Sequence, residues 1–459
     1  MMRTTLFFKH FFLLTAILLS GIINGTAQTN SSQLDNYIDT AMIQNQGLKE
    51  QQFNLDKAIY ALKEAKAMFL PTVGLSENFT KSAGGRVINV PFGNMLNPVY
   101  TTLNQLTNST KFPQIANQTF NLNPALYYDT KVRTSLSLIN SEIWYNKEIK
   151  KQLITSQQAA VNVYKRELVK DIKIAYYRYY QSLQSIATYQ SSAQLIKENI
   201  RENESMLKNG LRNVTALLRA QTEQQKTNAL IIQASHSTRN AKSYFNFLLN
   251  RSLQDTILVD NETITQIVST ADTTAGTGKR EELKQLQSMK EVYTLNYKLE
   301  KAGIIPKVSS FIDLGTQGAS LSLGSSDRYY LLGINLQWDI FTGGVRKYRA
   351  KQYQASAYAT NAQLDQTRQS LQLELDQTFN NFQSASAAYR SVIAQITFAT
   401  KYYNDQMKAY RAGQLIYLEL IDAQDQLTSA RLQLADAKAN LQISLAELER
   451  SQATYPINK

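Results

Sequence analysis

Tyr410-Arg-Ala-Gly-Gln-Leu-Ile-Tyr-Leu-Glu-Leu-Ile-Asp-Ala-Gln424 decides the fold of this chain, because it recurs. Leu207-Lys-Asn-Gly-Leu-Arg-Asn-Val-Thr-Ala-Leu-Leu-Arg-Ala-Gln221 is a gap-free echo. Gly210 matches Gly413, Leu217 matches Leu420, and Ala220-Gln221 matches Ala423-Gln424. Long amphipathic stretches flank each copy. Glycine suits the end of a helix, since it takes the left-handed conformation without steric cost. Each copy therefore reads as the tip of a long helical hairpin, near 210 and near 413.

Outward from the tips, the two halves repeat. Residues 32–70 read as one helix stopped by Pro71, and 72–79 alternate as a strand with Val73, Leu75 and Phe79 on one face. Residues 80–125, rich in Asn, Gly, Pro and Thr, read as a long irregular loop. A second strand carries Val132, Thr134, Leu136 and Leu138 on one face and is expected to run on to Ile143-Trp144-Tyr145. From about 147 to 208 there is neither proline nor glycine, which allows a helix roughly 90 Å long at 1.5 Å per residue. A return helix runs to about Leu249, and 250–280 form a Thr/Asp-rich connector.

The second half opens with a helix over 281–302. Lys301-Ala-Gly-Ile-Ile-Pro-Lys-Val308 echoes Lys66-Ala-Met-Phe-Leu-Pro-Thr-Val73. Pro306 and Pro71 suit a switch from helix to strand, because proline disfavours helix in the residue before it. Strands are expected at 307–314 and 329–341. The latter sets Leu332, Ile334, Leu336, Trp338 and Ile340 against Gly333, Asn335, Gln337 and Asp339. Such alternation fits a lipid-facing barrel with a wet lumen, or a half-buried strand in a soluble sheet. Gly343-Gly344 turn the chain into a second long helix. Beyond Gly413, Leu420, Ala423, Leu427, Ala430, Leu434, Ala437 and Leu441 form a seam of alternating large and small residues. The first copy has Gln224, Thr227 and Thr238 there, so the two hairpins should pack differently.

The tip followed by Leu418-Glu-Leu-Ile-Asp-Ala-Gln424, together with the strand-to-Phe341-Thr-Gly-Gly344 junction, resembles the TolC family of outer-membrane efflux and secretion ducts. The resemblance covers about residues 32–450. It implies a mainly α protein with a transmembrane β-barrel. Each chain would contribute two repeats, and three chains a 12-stranded barrel continuous with an α-helical periplasmic tunnel. It also implies a homotrimer working with a periplasmic adaptor protein and an inner-membrane transporter, as a passive exit duct for efflux or type I secretion. Acidic residues at the places of Glu419 and Asp422 line the periplasmic opening in that family. The basic residue that the family can carry two positions after the tip glycine is Leu415 here.

Composition bounds the alternatives. Residues 1–27 read as a secretory signal, with Arg3 and Lys9 before the apolar run Phe11–Leu19 and Gly25-Thr26-Ala27 as a cleavage site before Gln28. The organisation is then a first repeat over 28–249, the connector, and a second repeat over 281–459. Cysteine is absent, which excludes disulfides and thiolate metal sites. Removing the cations Arg3 and Lys9 takes the formal charge from +13 to +11. Cations are scattered among acids, a pattern of solvated helices rather than of nucleic-acid binding. Past residue 27 no apolar run is long enough for a membrane helix, so any membrane span must be a barrel with outer-membrane lipid around it. Four strands per chain cannot close one, which requires an oligomer. No catalytic, cofactor or metal constellation is present; His236 stands alone. Glu419 and Asp422, three apart on one helix face, read either as helix N-terminal carboxylates or, repeated around an axis, as a cation-attracting constriction. An exported soluble coiled-coil protein, structural or adhesive, is the alternative to the duct.

Overall fold

The computed structural model describes residues 32–123, 125–260, 278, 280–319 and 327–457. The expected signal segment lies outside them, as does most of the connector. The chain divides into two compact units. One contains the described residues through Gln52, Val161–Glu281 and the chain from Thr367 onward; the other contains Phe53–Ala160 and Glu282–Gln366.

Helices dominate. They are α1 (Gln33–Gln44), α2 (Gln46–Ala67), α3 (Phe92–Leu106), α4 (Ser141–Lys208), α5 (Val214–Leu248), α6 (Glu281–Ala302), α7 (Val345–Arg411) and α8 (Tyr417–Gln452). The strands are β1 (Thr72–Lys81), β2 (Val87–Val90), β3 (Gln118–Asn121), β4 (Leu126–Ile139), β5 (Lys307–Gly318) and β6 (Arg328–Gln337). The 68 residues of α4 and 67 of α7 contain no proline or glycine, so nothing in their sequences interrupts the ladder.

In the first unit, α4 and α8 are joined along their length. Lys173 pairs with Glu449, Gln181 donates to Asp436 at 2.5 Å, and Arg431 donates to Ser191 at 2.8 Å. On the other side of α8, Tyr389, Phe382 and Val392 of α7 pack on Ala437 and Leu441. Near the start of the chain, Tyr37, Tyr176 and Phe245 form an aromatic cluster with centroids 5.2–6.4 Å apart. The Tyr37 and Tyr176 hydroxyls accept the backbone N–H groups of Leu258 and Asp260, tying the start of the connector to this core.

In the second unit, β1-β4-β5-β6 form one antiparallel sheet with β1 and β6 as open edges. Register sets rows of side chains across it, such as Leu75–Val132–Leu314–Tyr330 and Val73–Thr134–Ile312–Leu332. This apolar face is uncovered: Leu75 is 73% exposed, Leu332 68% and Ile334 74%. The opposite face is polar and internally bonded. Arg133 makes two hydrogen bonds to Asp313, at 2.7 and 2.6 Å. Asp129 receives Lys131 at 2.5 Å and the Tyr329 hydroxyl at 2.7 Å.

Four expectations need correction. The single helix over 32–70 breaks at Asn45, whose side chain accepts Leu48 N–H at 2.9 Å and donates to Leu248 O at 2.9 Å. That makes it an N-cap for α2 and a tie to α5 at once. Residues 80–125 are not an irregular loop: they hold α3, with β2 before it and β3 after it paired antiparallel. Their asparagines, which suggested a loop, act as local backbone substitutes. Asn97 both accepts from and donates to the Ile115 backbone, and Asn104 does the same with Phe112. Ile143-Trp144-Tyr145 belong to the first turns of α4 rather than to β4, because Asn140 ends the strand and accepts Glu142 N–H. Finally, β6 stops at Gln337, so Trp338 and Ile340 lie beyond it.

Candidate functional site

The two tips are built alike. Gly210 follows α4 with φ 71° and Gly413 follows α7 with φ 76°. At each, the glycine N–H reaches back three residues, to Leu207 O and Tyr410 O. The next N–H reaches back five, to Met206 O and Ala409 O. This pairing satisfies the last carbonyls of both helices. Asn213 then caps α5 by accepting Thr215 N–H, whereas Ile416, preceding α8, offers no side-chain cap. The other turn residues also sit at junctions. Pro71 and Pro306 precede β1 and β5, while Gly343 (φ 61°) and Gly344 (φ 81°) precede α7.

Glu419 and Asp422 stand exposed in the first turns of α8; Asp422 accepts Gln426 at 2.7 Å. Beneath them the wall is buried. Tyr410, Tyr417, Leu420, Ala423 and Leu427 close around Ala220, with the Tyr410 and Tyr417 rings 5.6 Å apart. Burial pushes both phenols above their ordinary range.

The two tips are locked together by polar contacts that periodicity could not reveal. Tyr410 donates to Asn203 at 2.6 Å, Arg411 to Glu202 at 2.7 Å, and Asn199 to Gln424 at 2.9 Å. Arg212 donates to Leu415 O at 2.6 Å and lies over the Tyr410 ring. Arg212, two positions after the glycine of the first tip, thus reaches the backbone of Leu415, which holds the aligned place in the second tip. Comparison of the two tips could have found it; the remaining partners had no sequence signal.

A further acid belongs here. Asp425 is held above the ordinary carboxylate range, first by partial desolvation, then by Glu223 of α5; Asp422 adds to this and Lys226 opposes it. Among the described residues, no group of three or more His, Cys, Asp or Glu side chains is placed to hold a metal ion. No described helix is long and apolar enough to cross a membrane.

The fold matches that of solved outer-membrane channels. The outer membrane protein VceC of Vibrio cholerae superposes with a TM-score of 0.71 at 15% identity, over 92% of this chain and 96% of that one. The open-state outer membrane channel MtrE of Neisseria gonorrhoeae does so at 0.71 and 14%, over 92% and 88%. In sequence, the outer membrane protein TolC of Salmonella enteritidis is 21% identical over 434 residues, 92% of this chain and 83% of its own. Residues 278–453 match the outer membrane efflux protein family. The resemblance drawn from the tips is borne out: the chain is similar to TolC and to the outer membrane efflux proteins.

Proposed function

We propose that this protein is the passive exit duct of a tripartite efflux pump or type I secretion system, assembled as a homotrimer. The observation that carries the reading is the β1-β4-β5-β6 sheet, with two unpaired edges and an uncovered apolar face. Open edges are not tolerated in lipid, and an exposed face of this kind is costly in water. Pairing β6 of one chain with β1 of the next around a three-fold axis gives twelve strands and removes both defects. Strands of 10–14 residues suit a tilted crossing of the bilayer core. The Arg133–Asp313 face then lines a wet lumen. The α4–α5 and α7–α8 hairpins would form a periplasmic tunnel whose tips meet an adaptor protein and an inner-membrane transporter.

In this reading Glu419 and Asp422 are the constriction. Three copies place six carboxylates around the opening, which favours cations. The duct performs no covalent chemistry; the transporter chooses the cargo. A soluble coiled-coil role, the alternative, leaves the uncovered sheet without a purpose.

Detergent extraction of outer membranes followed by native mass measurement tests the reading. A trimer is expected; a soluble monomer would overturn it. Leu336→Arg should reduce trimer yield more than Gln337→Arg, since arginine on a lipid face costs about 2–4 kcal/mol at the midplane and little in the lumen.

A further inference from the structure

The register brings all four helix–strand junctions to one end of the sheet. Thr72 of β1 lies opposite Ser135, Ile139 of β4 opposite Val308, and Lys307 of β5 opposite Gln337 of β6. The ends of α2 and α6 and the starts of α4 and α7 therefore surround the same rim.

That rim is layered. Next to the apolar sheet face come exposed apolar and aromatic side chains, among them Phe69, Trp144, Ile304, Trp338 and Phe341. Cations follow. Across 57–71, 140–151, 297–307 and 338–351 there are thirteen Lys and Arg against five Asp and Glu. That is eight of the chain's thirteen excess positive charges, concentrated at four short junctions. Every junction carries a lysine against a ring: Lys63 at 4.9 Å from Tyr60, Lys147 at 5.9 Å from both Phe69 and Trp144, Lys301 at 4.8 Å from Tyr297, and Lys347 at 5.9 Å from Tyr348. Such amphipathic pairs settle where hydrocarbon meets water.

Helix dipoles account for only half of this. Lys66 and Lys301 end α2 and α6, where a cation is favoured. Arg346, Lys347, Arg349 and Lys351 begin α7, where cations are disfavoured, and no acid stands in its first turn. Arg346 is engaged: it bonds Asp339 at 3.2 Å, and its guanidinium fills the space that a Cβ at Gly303 would need. Lys347, Arg349 and Lys351 are exposed and pair with no carboxylate among the described residues. Three exposed cations near a helix N-terminus, Lys347 within its first turn, beside a rim of exposed apolar side chains, form a surface that an external anion would suit.

We infer that this rim is a collar for the phosphate headgroups of anionic phospholipids in the periplasmic leaflet, gripped chiefly by Lys347, Arg349 and Lys351. The inference rests on the outer-membrane reading above. Bound headgroups would fix the depth of the barrel in the bilayer and neutralise the start of α7.

The trimer in nanodiscs of mixed phosphatidylethanolamine and phosphatidylglycerol, released for native mass measurement, reads the retained lipids directly. Phosphatidylglycerol should be enriched on the order of tenfold over its share of the bilayer. Lys347→Gln/Arg349→Gln/Lys351→Gln should abolish the enrichment, and Lys347→Arg/Lys351→Arg should keep it. Lys66→Gln/Lys301→Gln, at other junctions, should lower it partly, which covers failure of the first variant to assemble. Lys81→Gln/Arg86→Gln/Lys111→Gln, away from the rim, should leave it intact. No enrichment in the native protein, or equal loss in the last variant, would overturn the inference. So would its erasure by excess inorganic phosphate, since that would mark a simple anion site. If the chain fractionates away from outer membranes, the duct reading fails; if it fractionates with them but lacks the enrichment, only the collar fails.

Discussion

Helices α5 and α8 occupy the same place in the two repeats and live in different surroundings. Six of the 35 residues of α5 are buried, against nineteen of the 36 of α8. The α8 seam of Leu420, Ala423, Leu427, Ala437 and Leu441 is closed between α4 and α7. On α5, Leu218, Ile232 and Phe247 stay exposed, Phe247 at 66%. Between α5 and α4 there remains a cleft of about 430 Å³ lined by Arg178, Ser182, Ser185, Gln233 and Ser237. Duplication thus supplied one helix that completes the core of its own chain and one whose apolar face is left for something else. In the ring of chains proposed above, that face would meet the neighbour.

The largest test of the contrast is truncation at the aligned pair. Leu420→Ala should cost about 2–5 kcal/mol, because Leu420 is 0% exposed and its cavity is walled by tyrosines. Leu217→Ala, half-buried, should cost about 1 kcal/mol or less. Denaturant midpoints of the two variants check this, and equal shifts would break the comparison.

Next in size is the outer face of α5. Ile232→Asp and Phe247→Asp should leave helical content unchanged while weakening trimer association on the order of tenfold or more, as a buried unpaired charge does at an interface. Dissociation of the purified trimer on dilution measures it. An unaltered trimer would mean that α5 faces solvent or the adaptor instead.

The tips sharpen the contrast further. Glu419→Ala/Asp422→Ala should reduce cation preference and divalent block in planar bilayers several-fold, with assembly preserved. At the aligned positions of the first tip, Ala216 and Arg219, there is no acid. Arg219→Ala should shift selectivity the other way if that tip reaches the lumen. Unchanged selectivity in an assembled Glu419/Asp422 variant would return both residues to ordinary helix-end carboxylates.

The smallest effect concerns pH. The folded carboxyl of Asp425 titrates above its unfolded value, because partial desolvation and Glu223 disfavour its charge. The folded protein therefore binds this proton more tightly, and stability falls as pH rises from the ordinary carboxylate range through the raised folded value. Mild acid should tighten the contact between α5 and α8 at the tip. Hydrogen exchange of tip amides should slow modestly on acidification, after correction for intrinsic rates, and Asp425→Asn should remove the dependence.

Much of this was legible in the residues. Gly210 and Gly413 mark both tips because a left-handed residue after a long helix leaves few alternatives to glycine. The two sheet faces follow from strict alternation in β4 and β6, and the ends of α6 fall at 281 and 302 where the pattern changes. The 80–125 segment was opaque for a definite reason. Its asparagines signal loops statistically, yet here Asn97 and Asn104 of α3 bond the backbone of the link that follows it, at Ile115 and Phe112, and Asn117 accepts Asn94 N–H in the first turn of α3. Asn45 reads as one polar residue in an apolar period; its cap on Leu48 is local, but its tie to Leu248 spans 203 residues.

The sequence by itself determined the repeat, the hairpins, the strand faces and the kinship, since each is written in local periodicity or in residues with special backbone freedom. Which copy of the repeat is buried was decided by tertiary structure, because burial depends on neighbours far along the chain. So were the Arg212–Leu415 and Tyr410–Asn203 ties, separated by 203 and 207 residues. The gathering of four basic junctions around one rim is likewise a product of strand register. Charge is a property of residues, but a charged collar exists only where pairing brings those residues together.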